Sequence, residues 1–338
     1  MLAYLLWLYF LVGTALGGPT WRSAPTPMVE RPAVAEPAGG WWSEDGQYAR
    51  VHGGGGDIVT TRRLADHAAA AVPRIAHRLG VPAGGAIDIY LAPTQADFER
   101  IQPDTPPDWA DGTAWPRWGM IFLRAPSARP GTAERLEQVL DHELVHVLVG
   151  RAFAPRTPPR WLQEGLAQYY SGELGPKVSA DLTSVLFGRD ELFSLTQLSS
   201  GFHGGAAQAH HAYAAAADFV GYLGTTYGED SVGALITEMA AGASFSDALA
   251  TATGSDLATV EAGWRGRWND PALLASALAT TDLLWAGGGI LLILGAWRAR
   301  RRTRKKLEGW EREEEWLRGM QERMKEQCEP GPCSTFVN

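Results

Sequence analysis

Apolar positions change period along this chain, and each change marks an element. From Arg62 to Leu79, the residues Leu64, Ala68, Ala71, Ile75 and Leu79 recur every three or four positions, which predicts a helix with one buried stripe. Pro73 lies inside it and predicts a kink. Ala86 to Leu91 alternates instead, with Ile87, Ile89 and Leu91 on one face, so a strand is expected. Tyr48 to His52 and Trp118 to Arg124 predict two more strands. Thr94 suits the cap of a short helix through Ile101. Gln102 to Arg117, rich in Pro, Asp and Trp, reads as a loop.

Helical spacing then takes over. Leu136, Val139, Leu140, Leu144 and Val147 give one apolar side to a helix that Thr132 would cap and Gly150 would end. Pro155 to Pro159 reads as a turn, with Pro158 and Pro159 suited to the entry of the next helix. Leu182 to Leu186 and Leu192 to Leu198 are short apolar helices. Ser199 to Gly205 is a glycine-rich loop and a candidate lid. Ala206 to Tyr227, Ser231 to Ala241, Ser244 to Thr253 and Ser255 to Trp268 complete a helical lobe. Ser244 with Asp247, and Gly254, are its clearest start and stop signals.

The ends differ in kind. Met1 to Leu16 carries no charge and suits a signal-peptide core cut after Gly17. No Lys or Arg precedes it, so an uncleaved N-terminal anchor is the alternative. Residues 18–40 read as a Pro/Ala/Gly-rich linker, and 41–270 as the folded domain. Residues 275–297 are apolar for long enough to span a bilayer. Arg298 to Lys306 (RARRRTRKK) follows at once, placing that side in the cytoplasm and the folded domain outside. The charged tail to Asn338 carries Trp310, Leu317, Met320 and Met324 at helical spacing, suited to lipid, a partner or plain solvent. It also holds both cysteines, Cys328 and Cys333, so the folded domain has neither a disulfide nor a thiolate ligand. A net charge of −8 argues against nucleic acid as a partner.

Chemistry concentrates in two stretches. Asp141-His142-Glu143-Leu144-Val145-His146 is H-E-x-x-H on a helix, so His142 and His146 stand one turn apart on one face and can share a metal ion. Glu143, about 100° around the helix, is placed to take a proton from a water that the metal activates. The second stretch, Trp161-Leu162-Gln163-Glu164-Gly165-Leu166-Ala167, lies far enough on for a helix to return antiparallel, with Glu164 facing back as a third ligand. The four glycines Gly53 to Gly56 lack a following Lys-Ser/Thr and so do not read as a phosphate loop. His67 and His77, with no carboxylate or Cys in view, read as surface residues.

HELVH followed by WLQEGLAQYY resembles the gluzincin zinc metallopeptidases, closest to the family called peptidase MA-like, and shares W-L-x-E-G-x-A with the M1 aminopeptidases. The resemblance runs more weakly from about Tyr48 to Trp268, through Tyr213 to Leu223, Gly254, Glu261 and Trp264. It implies one Zn2+ held by His142, His146 and Glu164, with Glu143 as general base. It also implies an oxyanion donor, for which Tyr213 comes first and His210 and His211 follow. Gln168 stands where thermolysin-like members have an Asp, and can hydrogen-bond a ligand histidine less strongly. No G-x-M-E-N element occurs, so aminopeptidase action is not implied. In the gluzincin arrangement the strand before the zinc helix, here 118–124, borders the cleft. Its edge either pairs with a peptide or is a plain core strand.

The expected fold is therefore α+β: a small N-terminal sheet lobe, the zincin helix, a C-terminal helical lobe, and one C-terminal transmembrane helix. The expected activity is membrane-anchored zinc peptidase action on a peptide or protein substrate outside the membrane. The alternatives are an inactive zinc-stabilised binding module and a metal-free helical scaffold.

Overall fold

The computed structural model describes residues 30–107, 110–129, 135–172, 194–200, 206–267 and 287–304, and a few residues between 312 and 319. Five strands form one sheet: β1 (Trp41–Asp45), β2 (Ala49–Gly54), β3 (Ile87–Ala92), β4 (Gly112–Trp115) and β5 (Met120–Arg124). Their order is β1-β2-β3-β5-β4. β2, β3 and β5 run parallel, while β1 and β4 pair antiparallel at the two edges. The parallel β2–β3 pair requires a crossover, which α1 (Ile58–Leu79) supplies. Asp57 caps that helix by accepting from the Thr60 amide, and Gly80 closes it in the left-handed region, as glycine can. The helix continues through Pro73. It starts at Ile58, four residues before the expected Arg62, because the cap is Asp57, directly after the four glycines.

The sheet has two unlike faces. Ala49, Val51, Ile87, Ile89, Leu91, Ile121 and Leu123 join the main core with α1 and α3 (Leu136–Phe153). Tyr90, Ala92, Met120 and Phe122 form a smaller outer cluster with Phe98 of α2 (Gln95–Arg100), Val34 and Trp41. Residues 31–37, expected as mobile linker, are instead part of this outer layer. Val34 packs on it, Arg31 bonds Asp88, and Pro37 is buried. Composition suggested a linker there because Pro and Ala can cover a sheet without forming an element. β1 and β4 are short edge strands, and β4 lay hidden in a Pro- and Trp-rich stretch.

Beyond the sheet lie α3, α4 (Arg160–Ser171), α5 (Leu195–Ser200), α6 (Ala206–Tyr227), α7 (Glu229–Ala241), α8 (Phe245–Thr253) and α9 (Leu257–Gly266). α3 runs past Gly150 to Phe153. Gly150 is a packing residue, since a Cβ there would lie 2.4 Å from the Cβ of Pro116. Thr132, expected to cap α3, is outside the described residues, and Arg135 stands at the cap position without a side-chain bond. Thr94 and Ser244 do cap α2 and α8, and Gly254 ends α8 at a φ of 69°.

The chain divides into two units, 1–277 and 278–338. In the second, residues 287–304 are helical, with Ile290 to Leu294 and Trp297 exposed. Among the described residues no helix is long and apolar enough to cross a membrane. The expected span is therefore not found as such, and its first half, 275–286, lies outside the described residues. So do residues 1–17, 182–186, 201–205 and most of the tail.

Candidate metal centre

α3 and α4 form the walls of the site. His142 and His146 stand one turn apart on α3, ring centroids 4.9 Å apart and near-perpendicular. α4 returns against α3 with Trp161, Leu162, Leu166 and Ala167 all buried, which leaves Glu164 on the face toward the histidines. Its Oε2 lies 3.9 Å from His142 Nε2. One ligand atom each from His142, His146 and Glu164 falls within 4.8 Å of the others. Ligands of a tetrahedral zinc ion sit about 3.4 Å apart, so a small contraction would complete the set. The donors suit that ion, being two imidazoles, a carboxylate and no thiolate. Burial, then the positive charges of His142 and Arg160, hold His146 well below the usual imidazole pKa, so it is neutral as a ligand must be.

Glu143 is buried on the neighbouring face of α3 and abuts the backbone of β4. A Cβ on Gly112 would lie 2.9 Å from its Cγ and 3.0 Å from its Oε1. The edge strand at the site is thus β4. β5, the strand read from the sequence as the candidate edge, is paired on both sides and is a core strand.

α6 packs across α4 at close range. A Cβ on Gly165 would lie 2.9 Å from the Ala216 backbone. This approach brings Tyr213, one turn before Ala216, into the electrostatic reach of Glu164. Burial pushes the Tyr213 hydroxyl up to about 12, against the nearby Arg160, with Glu164 adding to the rise. The Arg160 guanidinium lies over the Tyr213 ring at 5.2 Å, with its Nε 3.9 Å from Glu164 Oε1. The backbone of α6 carries His210 and His211, but their side chains are outside the described residues. Gln168 lies one turn past Glu164. Its Oε1 is buried and meets no donor, so the expected bond to a ligand histidine is not made.

Three residues here had no sequence signal. Arg160 stands just ahead of the second stretch, Trp161 to Ala167, and outside its pattern. Gly112 sat in a presumed loop. Asp141, beside His142, accepts from His67 Nε2 at 2.7 Å and from Arg74 at 2.8 Å, fastening α3 to α1. His67 is therefore not the unpartnered surface residue expected. The partners are some seventy positions apart, beyond any local pattern.

Among solved structures, the chain is similar to a mutant M1 zinc metallopeptidase from Deinococcus radiodurans. Identity is 17%, with 66% of this chain and 51% of that one covered and a TM-score of 0.41. The chain thus spans about half the length of that protein. No curated protein matches. A family model, described as the peptidase MA superfamily, matches residues 67–269, which include both zinc stretches and most of the chain. The chain belongs to the peptidase MA superfamily.

Proposed function

We propose that this chain is a zinc-dependent peptidase that cleaves peptide bonds of a peptide or protein substrate. The observation that carries the reading is the convergence of His142, His146 and Glu164 from two helices, with Glu143 beside them. Those three residues would hold the ion. When bound there, zinc supplies Lewis-acid chemistry, polarising a peptide carbonyl and making water more acidic.

The other steps belong to the chain's own side chains. Glu143 accepts the proton of the attacking water at its carboxylate and passes it to the leaving amine nitrogen. The Tyr213 hydroxyl, with its raised pKa, stays protonated at neutral pH and can donate to the oxyanion. His210 and His211 are the next candidates for that role. β4 offers an open edge beside Glu143, where an extended peptide backbone can pair.

The second unit fits an anchor. A helix with apolar side chains exposed on all sides is what lipid covers, and the basic run after it suits a cytoplasmic face. The peptidase unit would then act outside the membrane.

Glu143→Gln tests the catalytic reading. In the zinc-loaded full chain we expect peptide turnover to fall by about 10²–10⁴-fold, the range of general-base catalysis, with zinc content unchanged. Cleavage at the original rate would refute the base assignment.

A further inference from the structure

The outer sheet face holds a second constellation that shares no residue with the zinc site. Ser43 Oγ lies 2.8 Å from His52 Nδ1, and His52 Nε2 lies 2.9 Å from Asp88 Oδ1. An ionised carboxylate can only accept, so the ring proton belongs on Nε2, and Nδ1 is left to accept from the Ser43 hydroxyl. Asp88 Oδ2 takes a 2.7 Å bond from Arg31. Burial works against the Asp88 charge, but the bonds from His52 and Arg31 outweigh it and hold the carboxyl below its usual pKa.

Strand register explains the geometry. Ser43 and His52 are direct partners across β1 and β2. The Gly46 amide donates to the Ala49 carbonyl at 2.8 Å in the same register. Hydrogen-bonded pairs alternate, so 46/49, 44/51 and 42/53 bond, and 43/52 is a non-bonded pair, whose side chains approach more closely. The same alternation turns the Ser43 N–H away from β2. Since β1 is an edge strand, that N–H faces the open side, next to its own hydroxyl. Ser43 is exposed, while His52 is fixed by stacking on Tyr90 at 4.5 Å, and Trp41 stands edge-on to it at 6.3 Å as an apolar wall.

We propose that Ser43, His52 and Asp88 form a second nucleophilic site, one that hydrolyses small carboxylic esters through an acyl-serine. Ser43 Oγ bonds to the ester carbonyl carbon as its proton passes to His52 Nδ1. The C–O bond to the alcohol then breaks, and the alcohol leaves with that proton. A water adds to acyl-Ser43, giving a proton to His52. The bond to Oγ breaks, the carboxylic acid departs, and Oγ regains the proton. The outward Ser43 N–H is the donor to the oxyanion, and Trp41 limits the site to short acyl groups.

The test uses the full chain with diisopropyl fluorophosphate and 4-nitrophenyl acetate at pH 8. With the first, the Oγ–P bond forms, the P–F bond breaks and fluoride leaves. We expect one adduct, mapped by mass spectrometry to Ser43 and absent in Ser43→Ala. Its formation should be at least about 100-fold slower in Asp88→Asn and His52→Gln, the general-base range. Two variants, both checked by thermal melting, keep the comparison if one fails to fold. Acetate release should fall at least about tenfold in Ser43→Ala, again within that range. His146→Ala should leave the Ser43 adduct unaltered, which separates this site from the peptidase assignment. No adduct at Ser43, equal labelling of Asp88→Asn and the parent, or acetate release unaltered in Ser43→Ala would overturn the proposal.

Discussion

At Gly112 a missing Cβ decides where Glu143 can put its carboxylate. Any side chain there would stand within 3.0 Å of Glu143 Cγ, Glu143 Oε1 and Val139 Cγ1, and close packing leaves no void to absorb it. Gly112→Ala is expected to displace the base while leaving the three metal ligands alone. Peptide kcat should fall by about 100-fold, as a misplacement near 1 Å can cost, with zinc content held. A kcat equal to that of the parent would show that the two groups do not meet. Asp141 acts on the other side of the same helix. It is a buried carboxylate bonded to both Arg74 and His67, so it fixes the helix that presents His142 to α1. The sequence displayed the candidate ligands His142 and His146 because H-E-x-x-H is a local spacing. It hid Gly112 and Asp141's partners because their roles depend on residues far away in the chain.

At the scale of elements, the site is a meeting of three helices, and small residues set their distances. Gly165 follows the candidate ligand Glu164 and lets α6 lie against α4 backbone to backbone. Gly165→Ala gains some helix propensity but forces a Cβ to within 3.0 Å of the Ala216 carbonyl and Cβ. The overlap should prevail, since overpacking costs about 1–3 kcal/mol. Urea unfolding should show that loss, and unaltered stability would mean α6 moves freely. The helix caps were readable at Thr94, Ser244 and Gly254, where one side chain or one φ decides the end. Gly150 misled, because its absent side chain makes room for Pro116 rather than for a helix stop. The apolar bracket around Glu164 was legible since burial of Trp161, Leu162, Leu166 and Ala167 dictates which way the one acid must face.

For the whole molecule, alternation and helical period gave the α+β class, but not sheet order, since pairing of β1 and β4 depends on partners that local pattern does not name. The outer layer built from residues 31–37 was missed for the same reason. The second unit carries its own prediction. If the helix over 287–304 belongs to an anchor, the full chain should stay with the membrane fraction through alkaline carbonate washing. Recovery in the supernatant would leave those exposed leucines for some other surface. The central claim is narrower: three side chains from two helices hold one divalent ion. Metal analysis of the purified full chain, beside His146→Ala, tests it most directly. The account predicts close to one zinc per chain in the parent and loss of it in the variant. A parent without zinc, or a variant that binds it equally well, would contradict the account.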